Sequence, residues 1–155
     1  MITENTNLDL LSTPERGTTV RASSILQKNA KVYGPKHALD IEKSSSCWNS
    51  DGTQENCQWF VVDFNRPVEP YQVNVQFQAG FSVETCTVAL KTSENDAWEP
   101  VDELEFHDVH EIQTKNLREM KPCTALKLTL EDFTDFYGRV TIYRIEVWGK
   151  ELVQG

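Results

Sequence analysis

The chain has no run approaching the ~20 apolar residues that cross a bilayer as a helix. It also has no P-loop, no G-x-S-x-G elbow and no Gly-rich dinucleotide loop, so phosphate-cradling and serine-hydrolase chemistry are not expected. Basic clusters are missing as well: 15 Lys+Arg stand against 24 Asp+Glu, a formal net charge of -9. That balance repels phosphate backbones and anionic membranes unless the cations segregate, so neither direct nucleic-acid binding nor membrane docking is expected. MITENTNLDLLSTPERGTTV lacks the basic start and apolar stretch of a signal peptide, and the chain contains no Asn-x-Ser/Thr acceptor. The expected location is the nucleus or cytoplasm, with no secretion.

Cysteine is present without a metal or redox pattern. Cys47, Cys57, Cys86 and Cys123 are 10, 29 and 37 residues apart, with no C-x-x-C and no nearby His pair, and are read as buried free thiols. His107 and His110 in EFHDVHE are spaced i, i+3 rather than the i, i+4 of a zinc-binding helix, and are expected to face solvent.

What is there is a period of two. Val73, Val75 and Phe77 alternate with Gln72, Asn74 and Gln76, and Leu126, Leu128 and Leu130 alternate with Lys127, Thr129 and Glu131. QWFVVDF, ETCTVALKT, WEPVDELEF and GRVTIYRIEVWG supply further strands, the last with a change of face between Ile142 and Tyr143 that suggests a bulge or a strand covered on both faces. VHEIQTKNLREMK is read as a strand followed by a loop, with one short helix as the alternative. Turn residues at Asp51-Gly52, Asn65-Arg66-Pro67, Ala79-Gly80, Asn95-Asp96 and Tyr137-Gly138 separate the strands. Six or more such strands read as an all-β sandwich or jelly roll. Residues 1–17 are expected to form a flexible tail, and 18–155 the domain.

In SSSCWNSDGTQENCQWFVVDF, Trp59 is expected to plug the core, because a large ring contributes most when buried. Trp48, followed by Asn49, Ser50 and Asp51, is a candidate wall of a shallow ligand cup.

HALDIEKSSSCWNS, then QWFVVDF and a proline, then VNVQFQAGF and a terminal RIEVWG resemble in order and spacing the discoidin, or coagulation-factor type C, domain, a galactose-binding-like jelly roll. The likeness covers about residues 18 to 150. CWNSD, QFQAGF and EDFTDFYGRVTIYRI further resemble a small intracellular branch, the nuclear-receptor-associated proteins. The resemblance implies a non-enzymatic module with an orphan nuclear receptor as its protein partner and a repressive effect on receptor-mediated transcription. Alternatives within the superfamily are a calcium-supported carbohydrate-binding domain and an adaptor subunit of a larger complex.

No cofactor is required on this reading, but sugar-binding members hold a structural calcium ion, and that likeness carries over to Asp40, Ser46 and Glu146. The loop between Asp40 and Trp48 is one residue longer than the usual pattern and contains Lys43, so a hydrogen-bonded or ionic pin is the alternative use of these side chains. Extracellular members staple their ends with a disulfide, and this chain has no cysteine in those places. The candidate binding loops carry Trp48, Asn49, Asp51, Phe81, Asp135, Phe136, Tyr137 and Arg139. DFTDFYGR in particular is read either as an interface rich in Tyr and Arg or as a hairpin corner with Phe133 and Phe136 turned inward.

Overall fold

The alternation around YQVNVQFQ becomes half of the longest strand. A computed structural model describes residues 7–40, 46–92 and 97–152. Its strands are β1 (Asp9–Leu10), β2 (Thr19–Ala22), β3 (Trp48–Asn49), β4 (Gln58–Phe77), β5 (Val83–Lys91), β6 (Glu99–Glu105), β7 (Gln113–Asn116), β8 (Cys123–Phe133) and β9 (Thr141–Glu151). One helical turn, α1 (Ala30–Tyr33), and three 3-10 turns fill the connections. Every pairing is antiparallel.

The 20-residue β4 joins the two layers of a sandwich. Residues 58–63 pair with β2 and β8, and β8 continues to β5 and β6; residues 68–77 pair with β9 and β7, while β1 and β3 add to β9. Inward side chains from both layers, among them Phe60, Phe77, Leu128 and Ile145, close the core at no more than 1% exposure.

Several expectations change here. Asn65-Arg66-Pro67 is no turn between two strands, because the chain runs on through it as a bulge. The β4–β8 register slips between Asp63 and Val68, and Asn65 takes a left-handed φ of 57°. Residues 1–17 are not a tail throughout. Asp9 and Leu10 pair with Gly149 and Trp148, Leu11 is fully buried, and Ser12 accepts the Val147 N–H at 2.9 Å. The two tryptophans exchange places: Trp48 is the fully buried plug, its ring edge-on to Phe60 at 5.3 Å and its Nε1 donating to the Ser24 carbonyl at 2.9 Å. Trp59 lies half-buried on the outer face, one position out of phase with Gln58 and Phe60.

Other readings stand. The segment VHEIQTKNLREMK gives β7 followed by a loop, and β9 has its bulge where the faces change, since Gln76 pairs with Arg144 and Phe77 with Ile142, leaving Tyr143 extra. The Asn95-Asp96 turn lies outside the described residues. His107 and His110 are exposed. Of the four thiols, Cys86 and Cys123 are buried as expected, and burial pushes Cys123 up to about 12 and Cys86 higher still, whereas Cys47 and Cys57 are only half-buried.

The bulge sets Arg66 at the junction of the layers. Its Nε and one terminal nitrogen grip the Glu151 carboxylate at 2.8 and 2.6 Å, and its other N–H groups reach the carbonyls of Leu11, Phe64 and Arg16 and the Thr18 hydroxyl. Arg16 joins the same carboxylate at 2.7 Å. The hydrogen bonds from Arg66, assisted by Arg16, hold the Glu151 carboxyl down to about 2, against its ordinary 4.5. That difference corresponds to roughly 3 kcal/mol of stability at neutral pH. Because the folded value is the depressed one, the contribution is complete above about pH 4.5 and is lost as pH falls toward 2. We therefore expect Arg66→Met to lower the unfolding free energy by roughly 3 kcal/mol at pH 7 and to flatten the acid limb of stability over that interval, as measured by urea unfolding at stepped pH. Arg16→Met should cost less, since Arg16 is 48% exposed.

Candidate protein-interaction site

At one end of the sandwich, the corner between β8 and β9 closes on the segment from β3 to β4. Asp135 organises the corner. Its Oδ2 accepts the backbone N–H groups of Tyr137 and Arg139 at 3.1 Å each and Arg139 Nε at 3.0 Å, and its Oδ1 accepts an Arg139 terminal nitrogen at 3.1 Å. The Arg139 side chain, with these backbone donors, holds the Asp135 carboxyl below its ordinary range.

Gly138 then turns the chain with φ of 75° and donates its N–H to the Asp135 carbonyl at 3.0 Å. A Cβ there would lie 2.8 Å from the Thr53 carbonyl oxygen, so the position is closed to side chains by contact as well as by conformation. Thr53 N–H donates to the Tyr137 carbonyl at 2.8 Å and fastens the two segments together.

Beneath the corner lies a polar residue that sequence reasoning missed. Gln58 is 2% exposed; its Nε2 donates to the carbonyls of Asp51 (2.7 Å) and Gly138 (3.2 Å), and its Oε1 accepts from Ser23 and Ser24. Ser50 Oγ accepts the Val140 N–H at 2.9 Å. The available signal was the register: Gln58 shares the inward phase of Phe60 and Val62, where a polar side chain needs partners.

The candidate loop residues therefore divide. Trp48 is corrected from ligand wall to core. Asn49 accepts the Thr141 hydroxyl, and the Asp51 carboxylate accepts the Gln27 N–H at 3.1 Å, so both brace the frame. Asp135 is likewise turned inward, its side chain 11% exposed. Phe81, Arg139 and Tyr137 stack together, with the guanidinium 5.3 Å from one ring centre and 5.4 Å from the other. Phe136 and Tyr137 meet edge to face at 5.2 Å, yet stand 92% and 64% exposed. Phe133 packs against the core edge, so one phenylalanine of DFTDFYGR is inside and the other outside. A recess of about 870 Å³ opens beside them, lined by Thr53, Gln54, Asn56 and the corner itself.

The proposed calcium set fits poorly as described. Glu146 Oε1 accepts from Asn74 Nδ2 (3.1 Å) and Trp148 Nε1 (3.3 Å), and Oε2 pairs with Arg144 at 3.6 Å. Glu146 is thus engaged by Asn74, Trp148 and Arg144, none of which belongs to the set Asp40, Ser46 and Glu146. Asn74 Oδ1 beside it is buried without a donor. Asp40 and Ser46 flank residues 41–45, which lie outside the described residues together with Lys43. No group of three His, Cys, Asp or Glu side chains suited to a metal occurs among the described residues.

Residues 18–151 match the family described as Sad1 / UNC-like C-terminal. The chain is 38% identical over 135 residues to nuclear receptor 2C2-associated protein of Mus musculus, covering 86% of this chain and 92% of that one. It is 34% identical over 136 residues to the protein so named in Homo sapiens, covering 87% and 94%. Among solved structures it superposes on the F5/8 type C domain of a Bacteroides fragilis protein with a TM-score of 0.75 at 16% identity, covering 88% and 93% of the two chains. A chitosan-binding module from Paenibacillus sp. IK-5 gives 0.73 at 18% identity, covering 91% and 99%. These structural likenesses establish the galactose-binding-like, discoidin-type sandwich. The chain belongs to the Sad1/UNC-like family and is homologous to the nuclear receptor 2C2-associated proteins.

Proposed function

We propose that this protein is a non-enzymatic interaction module that binds a nuclear receptor through the β8–β9 corner and damps receptor-dependent transcription, working in the nucleus or cytoplasm. The observation that carries the surface is the pair Phe136 and Tyr137, 92% and 64% exposed on a corner already locked by Asp135. Exposed aromatics on a pre-organised loop bury large areas with little further loss of conformational freedom. The receptor as partner is supported by the names of the relatives. The carboxylate nearest the corner is held as an anion by Arg139, which suits a positioning role and not proton transfer.

Arg139 is a poor choice for testing the surface, because its removal strips Asp135 of a partner and loosens the corner. Phe136→Ser with Tyr137→Ala leaves those bonds in place. For this double variant we expect binding to nuclear receptor 2C2, measured by surface plasmon resonance, to weaken about 30-fold, the size of a single hot-spot loss, with little change in Tm. Undiminished affinity in the folded variant would remove the corner from the interface; absence of binding by the unaltered chain would remove the receptor reading itself.

A second reading, carbohydrate binding, rests on the same recess of about 870 Å³ flanked by aromatic rings. Calcium belongs to that reading. Because Glu146 is already engaged by Asn74, Trp148 and Arg144, we expect the Tm in millimolar calcium to match that in EDTA. A calcium site filled far above its Kd would instead raise Tm by about 5 °C or more, and galactosides that bound only under that condition would favour the lectin.

A further inference from the structure

The outer face of the β2–β4–β8–β5 layer collects cations that are scattered along the chain. Arg21, Val61, Lys127 and Ala89 fall in one cross-strand row. Arg21 Cζ and Lys127 Nζ each lie 5.5 Å from the centre of the Trp59 ring. Lys127 is also 5.9 Å from Trp98, and Lys91 approaches that ring to 5.4 Å. The result is a continuous ladder, Arg21–Trp59–Lys127–Trp98–Lys91, over a floor made by Val61 and Ala89 at 1% and 6% exposure.

None of the three cations has a carboxylate within ion-pair distance among the described residues, whereas Arg16, Arg66, Arg118, Lys121, Arg139 and Arg144 all do. In a chain of net charge -9, three cations without an ion-pair partner among the described residues gather on two indole rings, with Asp63 in the same outward row as Lys91. Strands lie about 4.8 Å apart, so Arg21 on β2 and Lys127 on β8 stand about 10 Å apart, and Lys91, on β5 and one same-face row along, stands about 8 Å from Lys127. Carboxylates at alternating positions of an extended peptide repeat every ~6.7 Å, a step within reach of these long side chains.

We infer that this face is a second docking surface, separate from the β8–β9 corner, whose occupant is an extended segment of a partner protein with Asp or Glu at alternating positions. A nucleic-acid strand fits less well. Base stacking needs a free ring face, and cations already lie over both indoles. Glu103 and Glu131 stand on the same face one and two rows from Lys127, where a long phosphate backbone would meet them.

The probe is a fluorescein-labelled peptide, Gly-Glu-Thr-Glu-Thr-Glu-Gly, titrated with the full chain and followed by anisotropy. A glutamine-for-glutamate peptide and a twelve-residue oligo-dT serve as comparisons. Saturable binding of the glutamate peptide is expected, weakened about tenfold or more by Lys91→Gln with Lys127→Gln and lost between about 0.15 and 0.5 M salt. The exposed edge-strand variant Arg21→Gln should weaken it independently, while Phe136→Ser with Tyr137→Ala should leave it unchanged, so failure here is distinct from failure of the receptor reading. No saturable binding, equal binding by the lysine variants, or tighter binding of the oligonucleotide than of the peptide would overturn the inference.

Discussion

Arg66 sits where one strand must serve two sheets, and the fold depends on how that crossing is held. A long strand that bulges loses ladder partners at the crossing and leaves carbonyls in need of donors. The guanidinium supplies them to Phe64 on the bulge, Leu11 and Arg16 on the N-terminal segment, and the Glu151 carboxylate on the last strand. Disulfide-stapled members of the discoidin family join their ends covalently. Here a planar fork of charge-assisted hydrogen bonds joins the N-terminal segment at Leu11 to the last strand at Glu151. A disulfide acts largely on the unfolded chain, whereas this clamp acts in the folded state and responds to protons.

The opposite end of the sandwich is held by neutral polar groups as well as by Asp135. Gln58 reaches the segments around Ser24, Asp51 and Gly138, and Ser50 meets the start of β9. With these side chains satisfied below and Asp135 satisfied within, the corner has little freedom left, and its two outer rings are presented to solvent in a fixed attitude. Exposure of Phe136 is therefore a property of a rigid corner and not of a loose loop. The proposed contact surface draws on that fixed attitude.

The strand periods, the bulge near Tyr143 and the β7 assignment were legible because they depend on alternation along a few neighbouring residues. The exchange of Trp48 and Trp59 was not. Phase within QWFVVDF is ambiguous when Val61, an outer-face residue, is as apolar as Phe60 and Val62, and a one-residue slip moves every side chain to the other face. Arg66 in an apparent Asn-Arg-Pro turn was hidden for a different reason: its partners lie as far as 85 residues away. DFTDFYGR was legible as a corner rich in aromatics and charge, but the division of labour inside it was not, since Asp135 and Phe136 are adjacent letters with opposite destinations.

Net charge excludes less than it first suggests. The balance of -9 governs the field at distances where single residues blur together, and salt screens that field over about 8 Å at physiological ionic strength. Within that length the relevant charges are the ones on a single face. Arg21, Lys91 and Lys127 are 70 and 36 residues apart in the chain, so no sequence window contains two of them, yet adjacent strands place them about one ring apart. The acidic remainder still disfavours extended polyanions and anionic membranes, which must meet the whole surface. A short acidic segment meets only the ladder, and the sign that matters to it is the local one.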